Sequence, residues 1–252
     1  MDAVLTSSRG HTLKEKIEEC HPSPSQLYFY SRSSAKLEEL QYNAFDFLEK
    51  HEDPTNCHVY FVAGVCDITY RDRHGSYDEV YFIESPHDTI TRIKNLIDSI
   101  SLDILAYGAK PCFATIIPSC LEKWNFHRLA NHKTSHLLHF HQYSDMQQLL
   151  NSTILEINRH IITTNKANLM ETPLLASTII TQRQLSPGRF HFSRLADGVH
   201  PTKDLSEQWV ARLKKSMANN RYFCTPDLSA WDEIPDRVYK EKDWSKRSWA
   251  LS

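Results

Sequence analysis

The residue pair with the clearest chemistry is Asp197 and His200, within residues 195–202 (LADGVHPT). A carboxylate three positions before a histidine can accept a hydrogen bond from one ring nitrogen and leave the other nitrogen free to take a proton. Gly198 and Pro201 favour a tight turn around the pair. The stretch therefore predicts an acid–base pair that needs a nucleophile from elsewhere in the chain.

The best candidate for that nucleophile is Ser8, which follows the short apolar run at residues 3–5. A serine hydroxyl becomes a competent nucleophile when a histidine accepts its proton and a carboxylate orients that histidine. A serine directly after a strand is also a common turn residue or helix cap, so Ser8 taken alone fits either role. The distant Asp197 and His200 favour the catalytic interpretation.

Two other sets of residues suggest alternative chemistry. Cys66 is a second candidate nucleophile, although a buried structural cysteine is the more common case. His132 and His136 have the four-residue spacing of zinc ligands on a helix, but Cys112 and Cys120 are too far apart in sequence for a zinc-finger pair. The simpler interpretation is a polar, partly exposed lid carrying five histidines, with no metal and no cofactor: His127, His132, His136, His139 and His141.

The elements that must position these residues alternate between apolar runs and amphipathic runs. Five strands are predicted, at residues 3–5, 26–31, 58–65, 111–117 and 174–180. Helices are predicted at about residues 13–20, 37–48, 86–107, 145–168 and 205–217. A hairpin is predicted around the turn at residues 72–76. This alternation predicts an α/β fold with a parallel sheet covered by helices on both faces, and a site at the carboxyl ends of the strands.

Composition limits the class of protein. The chain has 252 residues, of which 40% are hydrophobic, so it can bury a sizeable core. Its net charge of −2 gives no general attraction to nucleic acid. No run approaches the roughly 20 apolar residues that span a bilayer, no signal peptide is visible, and the cysteines are scattered. We expect an intracellular, cytoplasmic protein with one domain at residues 1–222 and an extension rich in tryptophan and charge at residues 223–252.

Four blocks of the sequence resemble, in order and spacing, those of the SGNH (GDSL-type) hydrolase family. Residues 197–200 (DGVH) match the family's Asp-x-x-His block in full. Residues 6–8 (TSS) stand where the family has Gly-Asp-Ser and keep only the serine. Residues 33–35 (SSA) stand at the lone-glycine block with serine in its place, and residues 64–67 (GVCD) match Gly-x-Asn-Asp with cysteine replacing asparagine. The resemblance covers roughly residues 2–220.

This resemblance implies a flavodoxin-like, doubly wound α/β/α fold of about five parallel strands and a serine acyl hydrolase activity. Ser8 would attack an acyl carbonyl, His200 would accept the serine proton, and Asp197 would fix the histidine tautomer. The substrate would be a small-molecule acyl ester.

The resemblance also implies an oxyanion hole at Ser8, Ser34, Gly64 and Cys66. The first two would offer backbone N–H groups, and position 66 would offer its side chain. Cys66 has no amide group, and its thiol is a weak donor. Because loss of one such donor costs on the order of 10²–10³ in rate, an alternative function stays open. This alternative is a catalytically impaired binding or regulatory domain, including one derived from a mobile-element polyprotein. The oligomeric state also stays open.

Overall fold

Strands and helices alternate along most of the protein, of which a computed structural model describes residues 1–10, 13–20, 26–181 and 189–222. The strands of this part are β1 (Asp2–Thr6), β2 (Leu27–Ser31), β3 (His58–Val62), β4 (Tyr70–His74), β5 (Tyr77–Tyr81), β6 (Lys110–Phe113), β7 (Ile180–Thr181) and β8 (Arg189–Phe190). The α-helices are α1 (Lys14–Cys20), α2 (Leu37–Glu49), α3 (Val65–Ile68), α4 (Pro86–Ala106), α5 (Leu121–Ala130), α6 (Tyr143–Ala167) and α7 (Lys203–Tyr222).

The centre of the fold is a parallel sheet with the strand order β2-β1-β3-β6. Successive side chains of a strand point to opposite faces, and β1 shows the consequence. Ala3 and Leu5 belong to the core on one face of the sheet, whereas Val4 belongs to the core on the other face. A strand buried on both faces explains why the run is apolar without alternation. The predicted three-layer α/β fold class is confirmed.

Helices cover both faces of this sheet. The first face carries α2, α4 and α6, whose apolar side chains pack on Leu5 and Phe61. The second face carries α1 and α7, which pack on Val4 and Tyr60. Trp209 of α7 is fully buried there. Burial of each large apolar side chain contributes about 1.5–3 kcal/mol, so these two cores hold the strand ends in place.

The predicted fifth strand at residues 174–180 is wrong. Residues Ala176–Thr178 form a 3₁₀ helix instead, and Ile180–Thr181 pair antiparallel with β8. Thr115, just beyond β6, holds this part of the chain instead, through isolated hydrogen bonds to Pro173 and Ala176 and not through a ladder of paired strands. Its N–H donates to the Pro173 carbonyl at 3.1 Å, and its hydroxyl accepts from the Ala176 N–H at 2.9 Å. The parallel sheet of the described residues therefore has four strands.

Strand β6 is also shorter than the predicted 111–117, because side chains of α6 take the place of a neighbouring strand. The Asn165 amide bonds both backbone groups of Phe113, at 2.9 and 2.7 Å. The Asn158 amide bonds both backbone groups of Ile116, at 2.6 and 2.9 Å. Buried backbone groups must be paired, and here asparagine amides pair them while the chain leaves the sheet.

The predicted hairpin is confirmed, since β4 and β5 pair antiparallel. Its fully buried Glu79 carboxylate accepts hydrogen bonds from the Tyr77 and Tyr143 hydroxyls and from the backbone N–H groups of Leu138 and His139. The segment at residues 131–142 is thereby fixed onto the hairpin.

No helix of the described residues is long and apolar enough to cross a membrane. The predicted extension at residues 223–252 lies outside the part of the chain that the structure describes.

Candidate active site

Ser8 lies directly beyond the carboxyl end of β1, where the chain leaves the sheet in a 3₁₀ turn at Ser8–Gly10. The Thr6 hydroxyl ties this end of β1 to β3 by donating to the Val62 carbonyl at 3.0 Å. The Gly10 N–H donates to the Ser7 carbonyl at 2.9 Å and closes the turn. These bonds hold Ser8 half-buried at the carboxyl edge of the sheet.

Arg9 anchors the same turn to the loop after β6. Its side chain is buried, with Nη1 donating to the Ile117 carbonyl at 2.5 Å and Nη2 donating to the Ser119 hydroxyl at 2.6 Å. Burial lowers the pKa of the guanidinium to about 10, so Arg9 stays charged at neutral pH. It therefore joins the turn after β1 to the loop after β6.

Asp197 and His200 lie in a tight turn whose two ends meet, since Leu195 and Pro201 form an isolated β-bridge. The two carboxylate oxygens of Asp197 have different partners. Oδ1 accepts from the backbone N–H groups of Val199 and His200, at 2.9 and 2.7 Å. Oδ2 lies 2.6 Å from His200 Nδ1. These three contacts of the Asp197 carboxylate, all within one short turn, fix the orientation of the imidazole.

The structure brings Ser8 to this turn across the sheet edge. The second ring nitrogen of His200, Nε2, lies 3.3 Å from Ser8 Oγ. This distance is at the long end for a hydrogen bond, as is usual for such pairs in unliganded sites. The three residues that the sequence singles out thus form one continuous chain of contacts from carboxylate to imidazole to hydroxyl.

The hydrogen bonds of Asp197 also decide its charge. Burial alone would raise the pKa of this carboxyl, but the bonds from the His200 ring and from the His200 and Val199 N–H groups outweigh burial. They hold the pKa well below its usual range. Asp197 is therefore a carboxylate across the whole pH range in which a histidine titrates.

Gly198 allows the turn to approach helix α5. Its φ is +93°, and a Cβ there would lie 2.7 Å from both the Cys120 carbonyl oxygen and the Trp124 nitrogen. The Cys120 N–H donates to the Gly198 carbonyl at 2.8 Å, and Lys123 Nζ donates to the Leu195 carbonyl at 2.6 Å. The histidine turn and the start of α5 are thus one packed unit.

The expected oxyanion positions lie at the ends of the neighbouring strands. Ser34 follows β2 and has a φ of +62°, in the left-handed region that favours glycine. Gly64 follows β3 with a φ of +117°, and Cys66 comes next on α3. Ser34 therefore adopts the kind of backbone for which the SGNH pattern has a glycine, and it does so at a cost in strain.

The thiol of Cys66 is half-buried and neutral. Burial raises its pKa, and the nearby positive charge of Arg9 only partly opposes this effect. A thiol whose pKa lies above the ordinary value is not a thiolate at neutral pH, and the thiolate is the nucleophilic form. This protonation state argues against the alternative that Cys66 is the nucleophile.

Asp67 supports the loop that carries Ser34. Its buried carboxylate accepts from the Leu37 N–H, at 3.1 Å to Oδ1 and 3.2 Å to Oδ2, and so satisfies a free donor at the start of α2. Burial raises the pKa of Asp67 to about 6, against the opposing effects of the Leu37 N–H and the charges of Lys36 and Arg92.

The sequence assigns no functional role to two residues that lie near the site. Trp124 of α5 lies edge-on to the His200 imidazole, with ring centroids 5.6 Å apart. Arg9 is visible in the sequence only as the residue after Ser8, and nothing there signals its burial. Trp124 is separated from His200 by 76 positions, so only the fold reveals their contact.

Two of the five histidines of the predicted lid pack on the hairpin. His136 stacks on Tyr77, with centroids 5.2 Å apart, and His139 lies 4.7 Å from Tyr81. Within the described ranges, no group of three or more His, Cys, Asp or Glu residues is arranged to hold a metal ion.

No protein-family model matches the chain, and no curated protein matches it in sequence. Its structure, however, is similar to several solved structures. A GDSL-like lipase from Bacteroides thetaiotaomicron is 12% identical with a TM-score of 0.54, over 86% of this chain and 87% of the other. A member of the lipolytic G-D-S-L family from Veillonella parvula is 10% identical with a TM-score of 0.53, over 86% and 98%. An acetyl xylan esterase is 12% identical with a TM-score of 0.52, over 85% and 98%.

At these identities the comparisons establish the fold. The resemblance to SGNH (GDSL-type) hydrolases is confirmed at that level, over most of the chain.

Proposed function

We propose that the protein is a serine ester hydrolase in which Ser8 is the nucleophile, His200 the general base and Asp197 the residue that orients His200. The observation that carries the proposal is the run of two contacts, 3.3 Å from Ser8 Oγ to His200 Nε2 and 2.6 Å from His200 Nδ1 to Asp197 Oδ2. The ester-cleaving neighbours of the same fold support this chemistry.

In the proposed first step, Ser8 Oγ attacks the carbonyl carbon of an acyl ester, and its proton passes to His200 Nε2. The Asp197 carboxylate stabilises the imidazolium that forms. The carbonyl oxygen gains the negative charge and accepts hydrogen bonds from the backbone N–H groups of Ser8 and Ser34, with a weak contribution from the Cys66 thiol.

Collapse of this intermediate breaks the bond to the alcohol oxygen, which takes the proton from His200, and the acyl group stays on Ser8. Water then attacks the acyl group, again losing its proton to His200. The acid leaves, and the serine hydroxyl is restored. The products are therefore one alcohol and one carboxylic acid, and no cofactor enters the balance.

Labelling with a fluorophosphonate probe tests the nucleophile. We expect labelling of the wild-type protein and none of Ser8→Ala. The matched control is Ser152→Ala, which removes an exposed hydroxyl on α6 that bonds only the Leu149 carbonyl and should label like wild type. A wild-type protein that stays unlabelled, or a Ser8→Ala variant that still labels, would overturn the proposal.

A second function is favoured by one specific observation, the thiol at position 66. If the oxyanion is held too weakly for turnover, the domain binds a ligand without hydrolysing it. In that case the biological activity survives in both Ser8→Ala and His200→Ala. Loss of that activity in either well-folded variant would exclude the non-catalytic alternative.

A further inference from the structure

A cavity of about 400 Å³ opens between the β4–β5 hairpin and α5. Apart from Gly75, every residue that lines it is charged: Arg71, Arg73, Asp78, Arg128 and Lys133. With four cations against one carboxylate, the lining has a formal charge of +3. We call it the cationic cavity.

Two of its arginines are held rigidly by Asp78. Arg71 Nε and Nη2 donate to the two Asp78 carboxylate oxygens at 2.8 and 2.7 Å. Arg128 Nη2 donates to the same carboxylate, and Arg128 Nε donates to the Asp78 carbonyl at 3.3 Å. Arg128 is 7% exposed and Asp78 is 4% exposed. One carboxylate therefore fixes two guanidinium groups at the wall of the cavity.

The other two cations are paired weakly or, among the described residues, not at all. The Arg73 side chain is 74% exposed, and its Nε makes a long ion pair of 3.9 Å with Asp78, which already pairs with Arg71 and Arg128. Lys133 has no ion-pair partner among the described residues, although its backbone N–H is fixed by the Arg128 carbonyl at 2.9 Å. Burial and repulsion from Arg71 and Arg73 lower the pKa of Arg128 despite the attraction of Asp78. Positive charge is thus in excess inside the cavity.

Two of the residues that line the cavity interact with residues of the candidate active site. The Arg128 guanidinium carbon lies 5.4 Å from the centre of the Trp124 ring, and the centroid of the His200 imidazole lies 5.6 Å from the same ring. Arg128 is therefore within about 11 Å of His200, the sum of these two distances. The positive charge of Arg71 also slightly opposes the rise that burial causes in the pKa of the Cys66 thiol.

We propose that the cationic cavity binds a phosphate or sulfate group of the ester substrate, so that the substrate is an anionic ester. The inference rests on the proposed function and adds the substrate class. The planar, fixed guanidinium groups match the oxygens of such an anion, and Lys133 adds a mobile charge. Because Arg128 lies within about 11 Å of His200, a substrate that places its anion in the cavity and its ester at Ser8 needs only a short linker between the two groups.

Calorimetric titration with inorganic pyrophosphate tests the binding step separately from catalysis. The test variant is Arg73→Gln/Lys133→Gln, because both side chains are exposed and their loss leaves the bonds of Asp78 intact. The control is Lys50→Gln/Arg159→Gln, which removes two exposed cations that pair with Asp46 and Glu156 on other surfaces.

We expect the wild-type protein, the control and Ser8→Ala to bind pyrophosphate at low salt, and the test variant to bind at least tenfold more weakly. Binding should weaken in 0.5 M salt because exposed charges are screened. No binding to wild type, or equal loss in the test and control variants, would overturn the proposal. Because Ser8→Ala still carries the cavity, this result does not depend on catalysis.

A matched pair of esters, acetoxyhexyl phosphate and acetoxyhexanol, tests the link to the proposed reaction. The measured quantity is the ratio of kcat/KM for the anionic ester to kcat/KM for the neutral ester. We expect a ratio above one in wild type, a drop of at least tenfold in the test variant, and no change in the control. A ratio that is the same in all three proteins would overturn the link. If neither ester is hydrolysed, the result counts against the proposed function and not against anion binding in the cavity.

Discussion

At the scale of single residues, the proposed reaction makes position 66 a candidate donor to the charged substrate oxygen. Cys66 lies on α3, shortly after β3, and the positive charge of Arg9 acts on its thiol. The thiol is neutral and donates weakly, whereas a side-chain amide is a full donor. One such donor is worth about 3–4 kcal/mol in the transition state, so we expect a substitution at this position to change the rate more than the stability.

We predict that Cys66→Asn raises kcat for a simple acyl ester by tenfold or more, because it adds an amide donor facing the oxyanion. Cys66→Ala should lower kcat by less than tenfold, since only a weak donor is lost. Steady-state kinetics measure both changes, and thermal unfolding checks that each variant is folded. A folded Cys66→Asn protein with unchanged kcat would show that position 66 does not face the developing charge.

At the scale of elements, the acid–base pair depends on contact between its turn and the start of α5. Gly198 makes this contact through backbone atoms, which cannot move aside as a flexible side chain can. Trp124, which touches His200, belongs to the same stretch of α5. The position of His200 relative to Ser8 is therefore set by helix packing as well as by Asp197.

We predict that Gly198→Ala lowers kcat by at least 100-fold and lowers Tm by roughly 5–10 °C, because its methyl group collides with the backbone of α5. Gly75→Ala is the matched control. Gly75 also has a positive φ, of +55°, but a Cβ there meets nothing within 4 Å. It should cost about 1 kcal/mol in strain and leave turnover of a neutral ester at the wild-type level. Equal effects of the two substitutions would refute the packing argument.

At the scale of the whole molecule, the sequence predicts the layers well and the irregular edge poorly. Two kinds of element carry clear patterns. The strands β1 and β3 are buried on both faces and are therefore apolar throughout, whereas α4, α6 and α7 are buried on one face and are therefore amphipathic. The run at residues 174–180 is equally apolar but pairs with no parallel strand. Its backbone partners are Thr115, its own 3₁₀ turn and the short strand β8, and such partners leave no periodic signal.

The candidate site shows the same division. The spacing of Asp197 and His200 is local and can be predicted from the sequence. The position of Ser8 at the carboxyl edge of the sheet follows from the rule that parallel strands end at one edge, but no parallel strand leads into the turn of Asp197 and His200. The burial of Arg9, the contact of Trp124 and the charge in the cationic cavity arise from tertiary packing of distant elements, which no local pattern records.

The stability of the whole protein depends on pH through Asp67. Its pKa is about 6 in the folded protein and ordinarily 3.8. Between these values the folded state holds a proton that the unfolded state has released. The contribution of Asp67 to stability must therefore fall as pH rises through this window. At 1.36 kcal/mol per pKa unit, the loss between pH 4 and pH 7 amounts to roughly 2 kcal/mol.

We predict that Asp67→Asn removes this part of the pH dependence, because the amide stays neutral and its oxygen still accepts from the Leu37 N–H. Urea unfolding at several pH values measures the free energy of unfolding of each protein. The gap between Asp67→Asn and wild type should widen in favour of the variant from pH 4 to pH 7. Asp46→Asn, which neutralises an exposed carboxylate on α2, should follow the wild-type curve. Parallel curves for wild type and Asp67→Asn would mean that Asp67 is ionised throughout and that its bond to Leu37 outweighs its burial.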